Sequence, residues 1–309
     1  MRKSPLKIAF FGMPGSVFSS ELFRSLTAMA NAGSADLRID WLVVPMRPEA
    51  LPDPRIPLTM NDAGLLETAR QEGVAIVSFA DPDNTAFTGT WAADPPDLLV
   101  CGCFPFKIPS EIIQAAVFGG WNLHPSLLPA YRGPDPLFWQ LRDGVAETGI
   151  TLHQMSDSLD AGDILAQHRY PLAAGIHARQ LSRQLAQLGG RLLGESLLNL
   201  VSGQLPARKQ APKDASYQPL PQVSDFILDD GWSAERAFRF IRGTTDYGMP
   251  YTLQTRYGDI VLKDVAGYVQ EKTANESCIT SDQLHIQMAG GTLNIPLSEV
   301  LNMEGLKLT

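Results

Sequence analysis

Two continuous apolar runs on either side of a helical pattern constrain the fold of this chain more than any other feature. Residues 7–11 read Lys-Ile-Ala-Phe-Phe, and residues 40–44 read Asp-Trp-Leu-Val-Val. Between them, a glycine-containing turn at 12–16 leads into residues 16–30, where apolar side chains recur close to helical spacing. Strands without polar alternation are typical of parallel sheets that helices cover on both faces. The start of the chain therefore predicts a β-α-β unit of a doubly wound α/β domain.

The same succession of strands and helices continues to residue 202. Further elements are predicted as strands at 74–77, 97–101, 119–124 and 148–155, a hairpin partner at 164–168 and a long amphipathic helix at 178–201. Residues 203–221 are rich in proline and indicate a linker. Because 309 residues exceed the usual length of one domain, we predict an α/β domain (1–202), a linker (203–221) and a small, mostly β domain (222–309).

The charge balance of the chain argues against broad contact with nucleic acid. Lys and Arg number 25 against 33 Asp and Glu, a net charge of −8, and residues 222–309 hold seven basic and twelve acidic side chains. Affinity for nucleic acid depends on Lys and Arg that neutralise phosphates. A local basic groove is therefore the only kind of nucleic-acid site that this composition leaves open.

Apolar run lengths and cysteine usage predict a cytoplasmic protein with no membrane partner. No apolar run approaches the ~20 residues of a membrane helix, and the N-terminal run is too short for a signal peptide. The three cysteines, Cys101, Cys103 and Cys278, have no spacing typical of a disulfide framework or a zinc site.

The most informative stretch begins within the strand at 119–124. Asn122 and His124 are two residues apart, so their side chains share one face near the carboxyl end of the strand, where parallel sheets bind ligands. An amide and an imidazole held there can donate hydrogen bonds to a developing oxyanion. The turn at 157–165 can bring Asp160 next to His124, where its charge would favour the protonated imidazole. Together these residue types indicate acyl transfer without a protein nucleophile.

Structural explanations of the same residues remain open at this point. An Asn or His at the end of a strand is more often a hydrogen-bonded structural residue than a catalyst, and Asp-x-x-Asp-x-Gly is most often a turn. His153 and His168 lie on the predicted hairpin without the matched spacing that metal ligands need. We therefore expect these two histidines to be structural, and we expect no metal site.

A longer pattern favours the catalytic interpretation. Residues 122–133 read Asn-Leu-His-Pro-Ser-Leu-Leu-Pro-Ala-Tyr-Arg-Gly, followed by Glu-Thr-Gly-Ile-Thr-Leu-His-Gln-Met at 147–155 and Leu-Asp-Ala-Gly-Asp-Ile-Leu at 159–165. In order and spacing, these segments resemble the signature of the 10-formyltetrahydrofolate-dependent formyltransferases, and residues 8–14 are similar to that family's opening strand and turn. The resemblance implies a Rossmann-type formyltransferase domain. It also implies the catalytic residues, which are Asn122, His124 and Asp160.

The resemblance further implies where the substrates bind. The formyl donor, 10-formyltetrahydrofolate, would border the segment after the strand at 97–100 and main-chain groups around 156–160. The residues implied for this contact are Gly102, Phe104, Phe106, Ile108, Ser156 and Asp157. Ordinary core packing is an equal explanation for Phe104, Phe106 and Ile108. Arg132 would contact an anionic group of the acceptor, or serve a structural role in its loop.

The layout is most similar to the two-domain members of this family, which include the methionyl-tRNA formyltransferases. Residues 229–234, a following helix and Met249-Pro250 are similar to the start of their OB-like C-terminal domain. Two features depart from the tRNA-modifying members. Pro125 follows the motif histidine where those enzymes usually have glycine, and residues 45–61 hold two arginines against two acidic residues where theirs are rich in Arg and Lys.

These departures concern the acceptor rather than the chemistry. We expect the acceptor to be a small primary amine such as an amino sugar, with methionyl-tRNA as the first alternative. The second alternative is hydrolysis of 10-formyltetrahydrofolate, in which water is the acceptor of the formyl group. The intact catalytic set weighs against a non-catalytic folate-binding protein.

Overall fold

The apolar runs of the N-terminal part form one seven-stranded sheet in the computed structural model of the chain. The structure describes residues 4–33, 36–45, 60–62, 64–79, 89, 91, 93–270 and 277–307, with 60–62 described by backbone only. In chain order the strands of this part are β1 (Leu6–Gly12), β2 (Gly15–Ser16), β3 (Leu37–Pro45), β4 (Met60–Asp62), β5 (Ala75–Phe79), β6 (Leu98–Gly102), β7 (Gly120–His124), β8 (Glu147–Gln154) and β9 (Ile164–Pro171). The large sheet has the order β5-β3-β1-β6-β7-β8-β9, and β2 pairs with β4 separately.

The strand directions confirm the predicted mostly parallel sheet. Strands β5, β3, β1, β6 and β7 run parallel, whereas β8 and β9 are antiparallel additions at one edge. The side chains of Ile8 and Phe10 on one face of the sheet and of Ala9 and Phe11 on the other are all 0% exposed. Burial on both faces is the reason that these strands show no polar alternation. Residues 46–59, which include most of the segment 45–61 compared above with the tRNA-modifying enzymes, lie outside the described residues.

Capping residues set the bounds of the helices around this sheet. The helices are α1 (Val17–Asn31), α2 (Gly64–Gln71), α3 (Ser110–Ala115), α4 (Pro136–Asp143) and α5 (Ala178–Ser202). Helix α1 begins after Ser16, whose side chain accepts a hydrogen bond from the backbone N–H of Ser19. Helix α4 begins after Asp135, which caps Phe138 N–H, and ends at Gly144 in the left-handed conformation. None of the helices in the described ranges combines the length and apolar character of a membrane span.

The C-terminal part is rich in β-structure, as predicted. It contains the helix α6 (Ala234–Thr244) and the strands β10 (Ile227–Asp229), β11 (Tyr251–Thr255), β12 (Gly258–Leu262), β13 (Gly267–Val269), β14 (Cys278–Ile279), β15 (Gln283–Met288), β16 (Gly291–Pro296) and β17 (Val300–Asn302). They form two four-stranded sheets with the orders β10-β11-β12-β17 and β13-β16-β15-β14. One amphipathic helix and two small sheets thus make up this sheet-rich C-terminal part.

The segment 203–221 lies against the α/β part instead of crossing open solvent. Arg208 pairs with Ile164 through two backbone hydrogen bonds of 2.8 Å. Further along, Arg132 N–H donates to Ser216 O at 2.9 Å, and Gln218 N–H donates to Arg132 O at 2.8 Å. The sequence division into two domains and a linker stays a prediction, but this segment borders the loops that follow β7 and β8.

Candidate active site

Strand β7 brings Asn122 and His124 to one face of the sheet, as the two-residue spacing predicts. His124 is the last residue of β7, and Asn122 stands at its centre. In the antiparallel pairing with β8, Asn122 lies opposite His153, and His124 lies opposite Thr151. The imidazole of His124 is buried, with 4% exposure.

The turn between β8 and β9 brings Asp160 to the same place. Asn122 Nδ2 donates to Asp160 Oδ1 at 3.3 Å, and His124 Nδ1 lies 3.7 Å from Oδ2. The backbone N–H of Gly133 donates to Oδ2 at 2.9 Å. The three residues implied as catalytic are therefore gathered around one buried carboxylate.

The two ring nitrogens of His124 have different surroundings. Nε2 lies 2.7 Å from the carbonyl oxygen of Tyr131. A carbonyl oxygen only accepts hydrogen bonds, so Nε2 carries a proton and donates it to Tyr131 O. In the neutral ring, Nδ1 then holds the lone pair, directed toward the Asp160 carboxylate.

Burial and neighbouring groups shift the pKa values of this pair. Burial would raise the pKa of the Asp160 carboxyl, but His124, His153 and the Gly133 N–H together lower that pKa below its usual range. Burial lowers the pKa of His124, and the opposing effect of Asp160 does not compensate. Asp160 favours the protonated imidazole, as expected, but removing the ring from water disfavours its charged form more strongly, so the net effect is a lowered pKa.

His153 belongs to this cluster, although the sequence indicated a structural role. Its Nδ1 lies 2.8 Å from the carbonyl oxygen of Gln154 and therefore donates to it. Its Nε2 lies 3.1 Å from Asn122 Nδ2 and 3.5 Å from Asp160 Oδ1. In the sequence, only the position of His153 on the strand predicted next to β7 could have indicated this contact. The register of β8 on β7, which places His153 opposite Asn122, is visible only in the structure. His168, on β9, is exposed.

Non-glycine residues with left-handed backbone conformation lie in and beside this cluster. Within the described ranges, the non-glycine residues with positive φ are Cys103 (61°), Tyr131 (59°) and Asp160 (53°). Tyr131 supplies the carbonyl that accepts from His124, Asp160 supplies the carboxylate, and Cys103 follows the carboxyl end of β6. Such conformations cost energy and persist where surrounding contacts hold them, most often at functional sites.

The segment predicted to border the folate forms an aromatic cluster at the carboxyl ends of β1 and β6. The Phe104 ring lies 5.2 Å from Phe11 and 6.0 Å from Phe106, centroid to centroid. Gly102 and Ile108 are buried, whereas Phe104 and Phe106 are half-buried. Core packing therefore accounts for part of each aromatic surface and leaves part accessible.

The second predicted folate segment adjoins the first. Ser156 and Asp157 lie in the exposed turn after β8, where Ser156 Oγ donates to Ser158 O at 2.9 Å. The hydroxyl of Ser110, at the start of α3, donates to the Asp157 carboxylate. An aromatic wall and a turn with accessible polar groups thus stand side by side.

Arg132 lies on the loop between β7 and α4, next to Gly133. Its Nε and Nη2 donate to Gln210 Oε1 at 3.1 and 2.7 Å. No carboxylate in the described part of the chain forms an ion pair with this guanidinium, so its positive charge is not neutralised there. Nor do three or more His, Cys, Asp or Glu side chains gather around a point that would suit a metal ion in that part.

Comparison with known proteins relates this geometry to a family. A family model described as formyl transferase matches residues 67–197. The methionyl-tRNA formyltransferase of Citrifermentans bemidjiense is 32% identical over 217 residues, which cover 69% of this chain and 66% of that protein. The methionyl-tRNA formyltransferase of Aromatoleum aromaticum is 30% identical over 242 residues, covering 77% of this chain and 73% of that protein.

A solved structure has the same fold at low identity. The N-formyltransferase of Helicobacter canadensis, in complex with folinic acid and dTDP-3-aminofucose, aligns over 96% of this chain and 99% of its own, with a TM-score of 0.66 and 14% identity. At this identity the likeness concerns the fold. The relatives of 30% identity or more, together with the matched model, lead to one conclusion: this chain belongs to the formyltransferase family.

Proposed function

We propose that this chain transfers the formyl group of 10-formyltetrahydrofolate to a primary amine. The observation that carries the proposal is the contact of one buried carboxylate, Asp160, with both Asn122 and His124. When bound, 10-formyltetrahydrofolate supplies a formyl carbon that the amine attacks and a folate nitrogen that leaves. The half-buried rings of Phe104 and Phe106 and the adjoining turn at 156–159 fit a flat heterocycle with polar edges.

The site provides an acceptor for the proton that the attacking amine loses. Neutral His124 is fixed by the bond from its Nε2–H to Tyr131 O, and its Nδ1 lone pair faces Asp160. A proton taken up there is held between Nδ1 and the carboxylate, which stabilises the imidazolium. The pair then returns the proton to the leaving nitrogen. Asn122 Nδ2, which contacts Asp160 Oδ1 and His153 Nε2 in this structure, exchanges one of these contacts for the oxygen of the formyl carbon as negative charge develops on that oxygen.

Charge favours a small amine, such as an amino sugar, as the acceptor. Residues 222–309 carry a net charge of −5, whereas tRNA binding needs basic side chains. Arg132, whose guanidinium meets the amide oxygen of Gln210 and no carboxylate within the described ranges, suits an anionic group on a small substrate. Methionyl-tRNA is the second candidate, because the two relatives compared above are methionyl-tRNA formyltransferases.

The test is one assay with three acceptors. The protein is incubated with 10-formyltetrahydrofolate and dTDP-3-aminofucose, charged initiator methionyl-tRNA, or no amine, and release of tetrahydrofolate and formate is measured. We expect rapid formylation of the amino sugar and weak formylation of the tRNA. Efficient tRNA formylation that falls steeply with salt would select the second candidate. Rapid formate release without an amine would identify a hydrolase, and no turnover in any arm would contradict the proposal.

The control for this assay is His124→Ala. Loss of this imidazole should lower the rate by about 10²–10³ in the arm that shows turnover, as removal of a single catalytic group commonly does. Turnover close to that of the wild type would remove His124 from the reaction.

A further inference from the structure

The segment 203–221 contributes one buried polar side chain to the site, that of Gln210. This residue is 8% exposed, and both the nitrogen and the oxygen of its side-chain amide form hydrogen bonds. Nε2 donates to the carbonyl oxygens of Asp160 at 2.8 Å and Gly162 at 2.7 Å. Oε1 accepts from Nε and Nη2 of Arg132 at 3.1 and 2.7 Å. One side chain therefore links the turn that carries the Asp160 carboxylate to the loop that carries the Arg132 guanidinium.

Backbone pairings on either side fix the position of Gln210. Two residues before it, Arg208 exchanges two hydrogen bonds of 2.8 Å with Ile164, the first residue of β9. A few residues after it, Tyr131 N–H donates to Ser216 Oγ at 2.8 Å, and Arg132 N–H donates to Ser216 O. These anchors hold the segment against both loops, so Gln210 has little freedom to leave its place.

An amide is the side-chain group that suits both sets of neighbours. The two carbonyl oxygens need donors, and the guanidinium needs an acceptor. A carboxylate would repel the two carbonyl oxygens and would neutralise Arg132. A neutral amide holds the planar guanidinium by one edge and leaves its positive charge for another anion.

We propose that Gln210 is a positioning residue that couples Arg132, which binds the acceptor, to Asp160, which acts in formyl transfer. The inference rests on the proposed function. Asp160 has a positive φ of 53°, a conformation that persists where surrounding contacts hold it. The bonds from Gln210 to the carbonyls of Asp160 and Gly162 provide such contacts, and its bonds to Arg132 set the direction of the guanidinium.

The kinetic test compares Gln210→Met with Arg132→Met, using dTDP-3-aminofucose and 10-formyltetrahydrofolate. Methionine keeps the shape of glutamine and removes all four hydrogen bonds. We expect Gln210→Met to lower kcat about tenfold or more and to raise the KM for the amino sugar about tenfold, whereas Arg132→Met raises KM with kcat changed less than about twofold. In the double variant, KM should equal that of Arg132→Met, because the two residues act on the same step.

Two further variants control for folding and for the segment itself. Gln210→Glu keeps the acceptor for Arg132 and loses the donors to the two carbonyls, so both kcat and the acceptor affinity should fall in a chain of almost unchanged shape. Gln204→Met alters an exposed glutamine of the same segment and should match the wild type. A wild-type kcat in both Gln210 variants would overturn the proposal, as would a KM effect that adds fully to that of Arg132→Met.

A measurement without any acceptor separates this inference from the proposed function. The His124 imidazole is titrated by NMR in the free protein, where it faces Asp160, His153 and the Tyr131 carbonyl. In Gln210→Met, the turn that carries Asp160 loses two hydrogen bonds, and the carboxylate should lie less close to His124. Because this carboxylate raises the pKa of His124, that pKa should fall in Gln210→Met. Gln204→Met should leave the pKa unchanged. An unchanged pKa in Gln210→Met would overturn the coupling, whichever acceptor proves correct.

Discussion

The carboxylate of Asp160 holds the site together through contacts that differ in kind. It accepts from the Asn122 amide and the Gly133 N–H, and its charge faces His124. An acceptor-only group suits this position, because every neighbour named here donates or can take up a proton. A neutral amide in its place would present N–H groups to other donors and remove the charge that stabilises the imidazolium.

Replacing Asp160 by Asn should therefore abolish most of the activity while the fold persists. We expect kcat to fall by about 10²–10³ or more, the common cost of losing one group of a catalytic set. The matched control is Asp163→Asn, three residues further along the same turn, which should stay within a few-fold of the wild type. A loss of about threefold in Asp160→Asn would mean that Asp160 only shapes the turn.

The protonation of His124 gives a second prediction at this scale. Because burial lowers its pKa below the ordinary 6.5, the neutral ring should persist into mildly acidic solution, and activity should persist with it. Asp160→Asn removes a carboxylate that raises this pKa, so NMR titration should find an even lower value in that variant. A pKa above 6.5 in the wild type, or a rise in the variant, would contradict this account of the pair.

At the scale of secondary structure, the turn between β8 and β9 determines where Asp160 lies. Gly162 is buried, and a Cβ atom added to it would lie 1.8 Å from Gln154 O, at the end of β8. Glycine is required here because the backbone of the turn passes too close to the strand for any side chain. The turn can therefore fold back over Asn122 and His124 only with glycine at this position.

Gly162→Ala should displace the turn and with it Asp160. We expect a loss of stability of about 1–3 kcal/mol, typical of forced overpacking, and a fall in kcat/KM larger than that loss explains. Thermal unfolding and steady-state kinetics measure the two effects. The control is Gly267→Ala, where an added Cβ meets nothing within 4 Å and neither quantity should change much. Full activity in a destabilised Gly162→Ala would separate the turn from the catalytic geometry.

At the scale of the whole molecule, the C-terminal part packs on helix α4, which follows the loop after β7. Phe138 of α4 contacts Phe226, Phe240 and Tyr247, with ring centroids 5.2, 5.6 and 5.4 Å away. Tyr247 also donates to both oxygens of Asp135, each at 2.9 Å, and Asp135 caps the start of α4. The C-terminal part therefore stabilises helix α4, which begins just after the segment Asn122–Gly133.

The Asp135–Tyr247 contact makes this packing sensitive to pH. Burial raises the pKa of Asp135 to about 6 against an ordinary value of 3.8, although Tyr247 and the Phe138 N–H oppose the shift. The folded protein thus binds this proton more tightly than the unfolded chain, so the contribution of Asp135 to stability falls as pH rises from about 4 to about 6. The free energy of unfolding, measured across that interval, should depend less steeply on pH in Asp135→Asn than in the wild type. An identical slope would contradict the raised pKa.

Tyr247→Phe tests the same contact from the other side. It removes a hydroxyl that donates to a buried carboxylate, and we expect a loss of about 1.5–3 kcal/mol at neutral pH, the usual value for a hydrogen bond to a charged group. In the Asp135→Asn background the loss should be smaller, because the partner is then neutral. Equal losses in both backgrounds would mean that the ring packing, and not the hydrogen bond, carries the effect.

Local patterns in the sequence were sufficient to predict the order of the strands and helices and part of the candidate site. Unbroken apolar runs predicted the parallel strands, and a spacing of two put Asn122 and His124 on one face, because a strand alternates its side chains strictly. The longer motif led to the family, which the comparisons confirm, and to Asp160 as the third residue of the set. Its catalytic role, like the substrate contacts, stays a prediction.

Tertiary structure decided what depends on contacts between distant residues and on burial. His153 enters the cluster through the register of β8 on β7, and Gln210 enters it through a segment that composition marked as a linker. The lowered pKa of His124 follows from the depth of its burial, which outweighs the nearby charge that the sequence made visible. Periodicity is a property of neighbouring residues and can be read along the chain. Register, burial and the course of a proline-rich segment arise only when distant parts pack together, and they set which groups share the Asp160 carboxylate.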